Sequence, residues 1–237
     1  MAELFSSEGI DRVLCVVAHP DDMEYGASAA VAEWTSRGVE VAYLLLTAGE
    51  AGIRHMRPED VAPMRAEEQR AACDIVGVKD LKILNFADGL LEANPETRAA
   101  IAREIRRFRP QAVMCTTWEL EVPWGINHVD HRAAGLAAVD AIRDADNPWL
   151  YQDQIAEGLE AWSTKWLLVT GTEATHAIEV SEESVEKGVE SLAAHEGYLK
   201  ALPDHPHPRE VVEGTTRGGG EAAGVPFALG VRAIQMG

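Results

Sequence analysis

Two short clusters carry the side chains able to do chemistry. The first, "HPDD" (residues 19 to 22), ends the apolar run "VLCVV" with a histidine and two adjacent carboxylates. Like charges so close need solvent or a cation. Alone, the tetrapeptide reads better as a turn whose Asp caps the next helix than as a metal site. The second, "NHVDHR" (127 to 132), sets His128 and His131 three apart around Asp130, a spacing that aims two imidazoles toward one point at a helix start. Together they change the reading. His19, Asp22 and His131 supply two nitrogens and one oxygen, a facial set that leaves a position open for water, as catalytic Zn²⁺ requires. Fe²⁺ is compatible with the same ligands. Asp21, beside a ligand but not on the ion, is then placed to take a proton from that water.

The surrounding elements must bring these clusters together. Residues 12 to 18 predict a buried strand, "GASAAVAEWTSRG" a helix ended by Gly38, and "VEVAYLLLT" a second strand. A helix follows over 60 to 76, then the short strand "LKILNF". Next come a helix over 96 to 108 with Ala100, Ile101, Ile105 and Phe108 on one face, and the strand "PQAVMCT". This alternation through residue 145 predicts a doubly wound, mostly parallel α/β sheet with helices on both faces. Ligands of such sheets bind outside the carboxyl ends of the strands, where both clusters fall. The last 90 residues are expected to be less regular, with strands at "KWLLVTG" and "HAIEV" and a helix over 182 to 200. "PDHPHPRE" and "GTTRGGGEAAGVP" read as loops, the second mobile without ligand. His205 and His207, flanked by proline, read as solvated loop residues.

Several function classes are excluded. With 39 acidic against 21 basic side chains, the formal charge of −18 repels nucleic acid. "AHPDDMEYG" lacks the G-x-G-x-x-G pattern, and its carboxylates would repel a pyrophosphate. No stretch approaches the ~20 apolar residues of a membrane span. Cys15, Cys73 and Cys115 lie in apolar segments without metal-type spacing, and the N-terminus lacks signal-peptide character. A cytoplasmic setting is the expectation, and a homo-oligomer is compatible with it.

"AHPDDMEYG", "LLTAGEAG", "RAEEQRAA", "FADG" and "HVDHRAAG", in this order, resemble the LmbE-like (PIG-L) family of zinc-dependent N-deacetylases. The resemblance spans nearly the whole chain and implies one Rossmann-like deacetylase domain over 1–237. In it, residues 1–145 form the core and 146–237 complete the site. It implies hydrolysis of an N-acetyl or other N-acyl group on an amino sugar such as an N-acetylglucosamine conjugate. It makes His19, Asp22 and His131 the metal ligands and Asp21 the general base. His128 becomes the oxyanion partner as an imidazolium, and Asp130 the carboxylate that orients it and keeps it protonated. Arg65 and Asp88 match positions that hold sugar hydroxyls. Ile126 stands where relatives acting on glucosaminyl-inositol thiols often carry Tyr, and His195 keeps the place of a C-terminal family histidine. The competing readings are an amidase for a thiol conjugate or non-sugar amide, and a non-catalytic carbohydrate-binding relative. A binding module has no need of Asp21 beside Asp22.

Overall fold

The computed structural model describes residues 1–236. Its strands are β1 (Glu3–Leu4), β2 (Arg12–Val17), β3 (Glu40–Leu45), β4 (Asp80–Ile83), β5 (Ala112–Thr116), β6 (Glu121–Val122), β7 (Gly125–Ile126), β8 (Trp166–Thr170), β9 (His176–Glu179) and β10 (Ala228–Gln235). The helices are α1 (Asp22–Gly26), α2 (Ser28–Ser36), α3 (Pro58–Val76), α4 (Pro95–Phe108), α5 (Val129–Asp146), α6 (Gln152–Ala156), α7 (Glu182–Ala193), α8 (Glu196–Lys200) and α9 (Pro208–Ala223).

Eight strands form one sheet in the order β1-β9-β10-β8-β5-β2-β3-β4, while β6 and β7 make a separate hairpin. From β4 to β8 all neighbours are parallel, and β10 runs antiparallel between β8 and β9. The central parallel strands β2, β3, β5 and β8 are covered on both faces, which explains their continuous apolar runs. In β2, Val13, Cys15 and Val17 face a core shared with α2, α3, α7 and α9. Leu14 and Val16 face the other core, built with α4 and α5. From β2 the chain winds outward to β3 and β4, then returns to β5 on the other side of β2 and continues to β8. The order therefore reverses between β2 and β5, which opens a crevice at their carboxyl ends. "HPDD" follows β2, and "NHVDH" follows the β6–β7 hairpin that leaves β5.

Two expectations for the C-terminal part are corrected. The stretch expected as a mobile loop, "GTTRGGGEAAGVP", lies mostly in α9 and packs on β10. Its glycines permit close approach rather than looseness: a Cβ at Gly219 would stand 2.1 Å from the Ala228 carbonyl oxygen, and one at Gly220 2.6 Å from that of Val225. The helix expected over 182–200 breaks after Ala193, and His195 turns inward before α8 begins.

Candidate active site

The backbone after β2 turns sharply. Asp21 sits in the left-handed region at φ 83°, which an Asp side chain tolerates better than most, and α1 starts at Asp22. Asp22 bends back: its Oδ2 accepts the backbone N–H groups of Ala18 (3.0 Å) and His19 (2.9 Å), leaving Oδ1 free to face His131 Nε2 at 3.1 Å. His19 Nδ1 lies 3.3 Å from the same His131 Nε2 and 3.7 Å from Asp22 Oδ1. The expected ligand atoms of His19, Asp22 and His131 thus converge within 4.8 Å of one another.

The far nitrogen of each imidazole is tied to an acceptor. His19 Nε2 faces Asp88 Oδ1 at 3.0 Å and Asp130 Oδ2 at 3.1 Å. His131 Nδ1 faces Asn127 Oδ1 at 3.2 Å, and Asn127 is itself oriented because its Nδ2 donates to the carbonyls of Thr117 (2.8 Å) and Glu119 (3.0 Å). In neutral rings the protons then sit on those far nitrogens, so His19 Nδ1 and His131 Nε2 meet lone pair to lone pair beside a carboxylate oxygen. Such a donor set fits a divalent cation. Without one, protons serve: burial opposes charge on His19, but Asp130, Asp22 and Asp88 outweigh it and push its pKa up to about 12. A second grouping, His19 with His128 and Asp130, fits less well. Asp130 already spends its oxygens on His19 and on the N–H groups of Gly89 (2.6 Å) and Leu91 (3.1 Å).

Asp21 stands beside the donor set, 5% exposed. Burial raises its pKa against the pull of Arg65, and Asp22 adds to the rise, leaving it at about 6. Arg65 and Gln69 lie one turn apart on the inner face of α3 and hold this residue in place. Arg65 Nη2 reaches Asp21 Oδ1 at 3.0 Å, and Gln69 Oε1 accepts the Asp21 N–H at 2.9 Å. Arg65 also donates to the carbonyls of Pro20 and Gly49, and its guanidinium stacks 3.9 Å from the Tyr198 ring centroid.

Three expected partnerships come out differently. The Asp130 carboxylate faces His19, not His128; only its backbone N–H reaches His128, donating to Nδ1 at 3.3 Å. The His128 pKa is therefore lowered, by burial first and then by His19, with Asp130 too weak a counterweight. Its neutral ring carries the proton on Nε2. Arg65 and Asp88, expected on sugar hydroxyls, are engaged with Asp21 and His19, although both line the cavity. His205, expected in solvent, pairs its Nε2 with the Tyr25 hydroxyl at 2.5 Å.

The sequence reading missed Asn127, Gln69 and Tyr25. For Asn127 a signal existed: it lies four residues before His131 at the start of α5, the spacing that brings two side chains onto one helical face. Glu24, in the first turn of α1, does not face His19. It is buried against Gln69 and Ser191, with His195 Nε2 3.6 Å away.

A cavity of about 340 Å³ opens over the cluster, walled by Asp21, Arg65, Asp88, His128 and Tyr198 among others. Among the described residues no helix is long and apolar enough to cross a membrane.

A doubly wound sheet with a His-Asp-His donor set and an adjacent buried carboxyl at its switch point places the chain among α/β proteins whose crevice is fit for a divalent cation. Within that class the chain belongs to the PIG-L family, described as GlcNAc-PI de-N-acetylase, whose profile matches residues 14–142. A diacetylchitobiose deacetylase of Thermococcus kodakarensis is 33% identical over 158 residues, covering 65% of this chain and 57% of that protein. The match thus spans little more than half of that relative's length. A probable N-acetyl-alpha-D-glucosaminyl L-malate deacetylase 2 of Bacillus anthracis is 30% identical over 194 residues, covering 78% of this chain and 80% of its own. The solved N,N'-diacetylchitobiose deacetylase of Pyrococcus horikoshii superposes with a TM-score of 0.84 over 96% of this chain and 85% of that one. At 22% identity, that likeness speaks for the fold.

Proposed function

We propose that this chain is a metal-dependent hydrolase that removes the N-acetyl group from an amino sugar, such as an N-acetylglucosamine conjugate. Residues 1–145 and 146–237 act as one catalytic unit in this reading, because Arg65 stacks on Tyr198 across that boundary. The observation that carries it is Asp21, a buried carboxyl with its pKa raised to about 6, set against the His19–Asp22–His131 donors. A site built only to bind sugar or hold an ion has no use for a buried carboxyl whose proton affinity is raised toward neutrality beside the ligands.

His19, Asp22 and His131 would hold the ion, Zn²⁺ or Fe²⁺. When bound it acidifies water and polarises the amide carbonyl. Asp21 accepts the proton that water loses as its oxygen adds to the carbonyl carbon. The same carboxyl returns that proton to the departing nitrogen as the C–N bond breaks, giving the free amine and acetate. A carboxyl near pH 6 is matched to both transfers. His128 donates through Nε2–H to the carbonyl oxygen as charge develops there, and it does so as a neutral imidazole. Asp130 and Asp88 fix the ring of His19, Asn127 fixes that of His131, and Arg65 with Gln69 fixes Asp21.

The relatives' named substrates favour N-acetylglucosamine units, and the polar wall of the cavity suits their hydroxyls. The test is amine release from N-acetylglucosamine, its disaccharide and its glycosides by protein loaded with Zn²⁺ or Fe²⁺. Release that vanishes in Asp21→Asn supports the reading. No release from any of them with either ion refutes it.

A further inference from the structure

A second cavity, of about 550 Å³, begins where the first ends. The two share Asp22, Tyr25 and His131, so they meet at the proposed metal position from different sides. The second runs beneath the carboxyl ends of β5 and β8 toward α9 and β10, walled by Trp124, Thr170, Val211, Thr215 and Leu229. Its lining is largely apolar. Trp124 closes one side by lying over Gly171, where a Cβ would stand 2.9 Å from the indole Cη2. Tyr25 and His205, hydrogen-bonded to each other, stand at the rim.

We infer that this cavity receives the acyl half of the substrate, and that the chain cleaves N-acyl amino sugars with acyl chains of medium length as well as N-acetyl ones. The inference rests on the deacylase reading above. Its direction comes from Asp21, which lines the first cavity and not the second. The residue that returns a proton to the leaving nitrogen must face the amine, so the sugar lies in the first cavity. The substituent on the other side of the carbonyl carbon then faces the second. Chemistry agrees with direction: charged and polar side chains dominate the wall of the first cavity, whereas Val211, Leu229 and Trp124 in the second suit methylenes.

Size supports the same assignment. A cavity of about 150 Å³ holds a six-carbon ring, or about 25 Å³ per carbon, so an eight-carbon chain needs about 200 Å³. An acetyl methyl would leave most of the 550 Å³ without substrate.

The test is a series of N-acyl glucosamines from acetyl through butanoyl and hexanoyl to octanoyl, assayed for amine release by the Zn²⁺-loaded protein. The expected result is a rise in kcat/KM of about three- to fourfold per added methylene over the first few carbons, the usual gain for burying a CH₂ group. Two variants narrow the cavity from α9: Val211→Phe and, because Val211 also packs on the core, Thr215→Phe at an exposed position. Each should return octanoyl to the rate of acetyl while leaving acetyl unchanged. Acetyl cleavage with a series that is flat or falls with length would overturn the inference and leave the deacetylase reading standing. Failure to release amine from any member, acetyl included, would instead remove the reading beneath it. Equal loss on acetyl and octanoyl in both variants would also overturn it, as would a gain confined to N-acetylglucosaminides with apolar aglycones.

Discussion

Asn127 makes the sharpest test of how the donor set is built, because it touches His131 and nothing else among the proposed ligands. It is 2% exposed. Its Oδ1 accepts from His131 Nδ1 at 3.2 Å, and its Nδ2 donates to two carbonyls. Asn127→Ala removes the acceptor that keeps the His131 proton on Nδ1, so the ring loses both its orientation and its preferred tautomer. Removal of such a partner costs about 10- to 100-fold in metal affinity, or about 1.4 to 2.7 kcal/mol. The same change strips the donor from the carbonyls of Thr117 and Glu119, at about 1 to 3 kcal/mol of folding stability. Asn127→Asp separates the two effects. It keeps an acceptor for His131 but offers no donor to the carbonyls, so affinity should hold while stability falls. Zn²⁺ affinity by chelator competition and urea midpoints, measured on both variants, read the two quantities independently. Asn127→Ala with wild-type affinity, alongside His131→Ala with none, would refute the claim that this contact tunes the ligand.

Asp21→Asn should retain bound metal by elemental analysis while turnover on an N-acetyl amino sugar drops about 10²- to 10⁴-fold, the scale of a lost general base. Unchanged turnover would leave proton transfer to another group. Glu33 ties α2 to the start of α7: its Oε2 accepts from the Ser181 N–H at 2.9 Å and from the Ser181 and Ser184 hydroxyls at 2.8 Å each. Burial works against its charge, but these donors and Arg37 win and hold its pKa at about 2, below the ordinary 4.5. Its contribution is then complete above about pH 4.5 and lost as pH falls through about 2. Glu33→Gln should lower stability at pH 7 by about 1.5 to 3 kcal/mol, with the gap to wild type closing between those pH values; a gap constant with pH would contradict the assignment. Gly219→Ala should destabilise by about 1 to 3 kcal/mol in thermal unfolding although alanine favours helix by about 1 kcal/mol, since its Cβ would meet the Ala228 backbone. A stabilised variant would mean that α9 sits farther from β10.

Much of the parallel half of the sheet was readable because its central strands are buried on both faces and so are written as unbroken apolar runs. "RVLCVV" and "QAVMCT" needed no neighbour to be recognised, and the two clusters behind them are local in sequence. What stayed hidden depends on distance along the chain. Nothing near Asp130 shows that its carboxylate will face His19, 111 residues away, rather than His128 two residues away. The backbone N–H groups of Gly89 and Leu91 decide it by drawing the carboxylate across. Arg65 was legible as important and not as the anchor of Asp21, since that contact depends on how α3 packs against the turn after β2. In α9, "GTTRGGGEAAG" reads as loop because glycine disfavours helix; only the nearness of β10 turns the missing side chains into an advantage.

The convergence of His19 and His131 from positions 112 residues apart bears on measurements that have nothing to do with catalysis. Only the parallel pairing of β2 with β5 brings their elements side by side, so the unfolded chain cannot offer a cation these three donors at once. An ion held there is a ligand of the native state alone. By mass action it raises the free energy of unfolding with its own concentration, by about 4 kcal/mol at a thousandfold excess over its dissociation constant. Thermal denaturation thus becomes a gauge of occupancy that needs no substrate. A melting temperature measured for this chain belongs to a free-ion concentration as much as to a sequence, and chelator-treated and metal-loaded samples would melt as though they were different proteins.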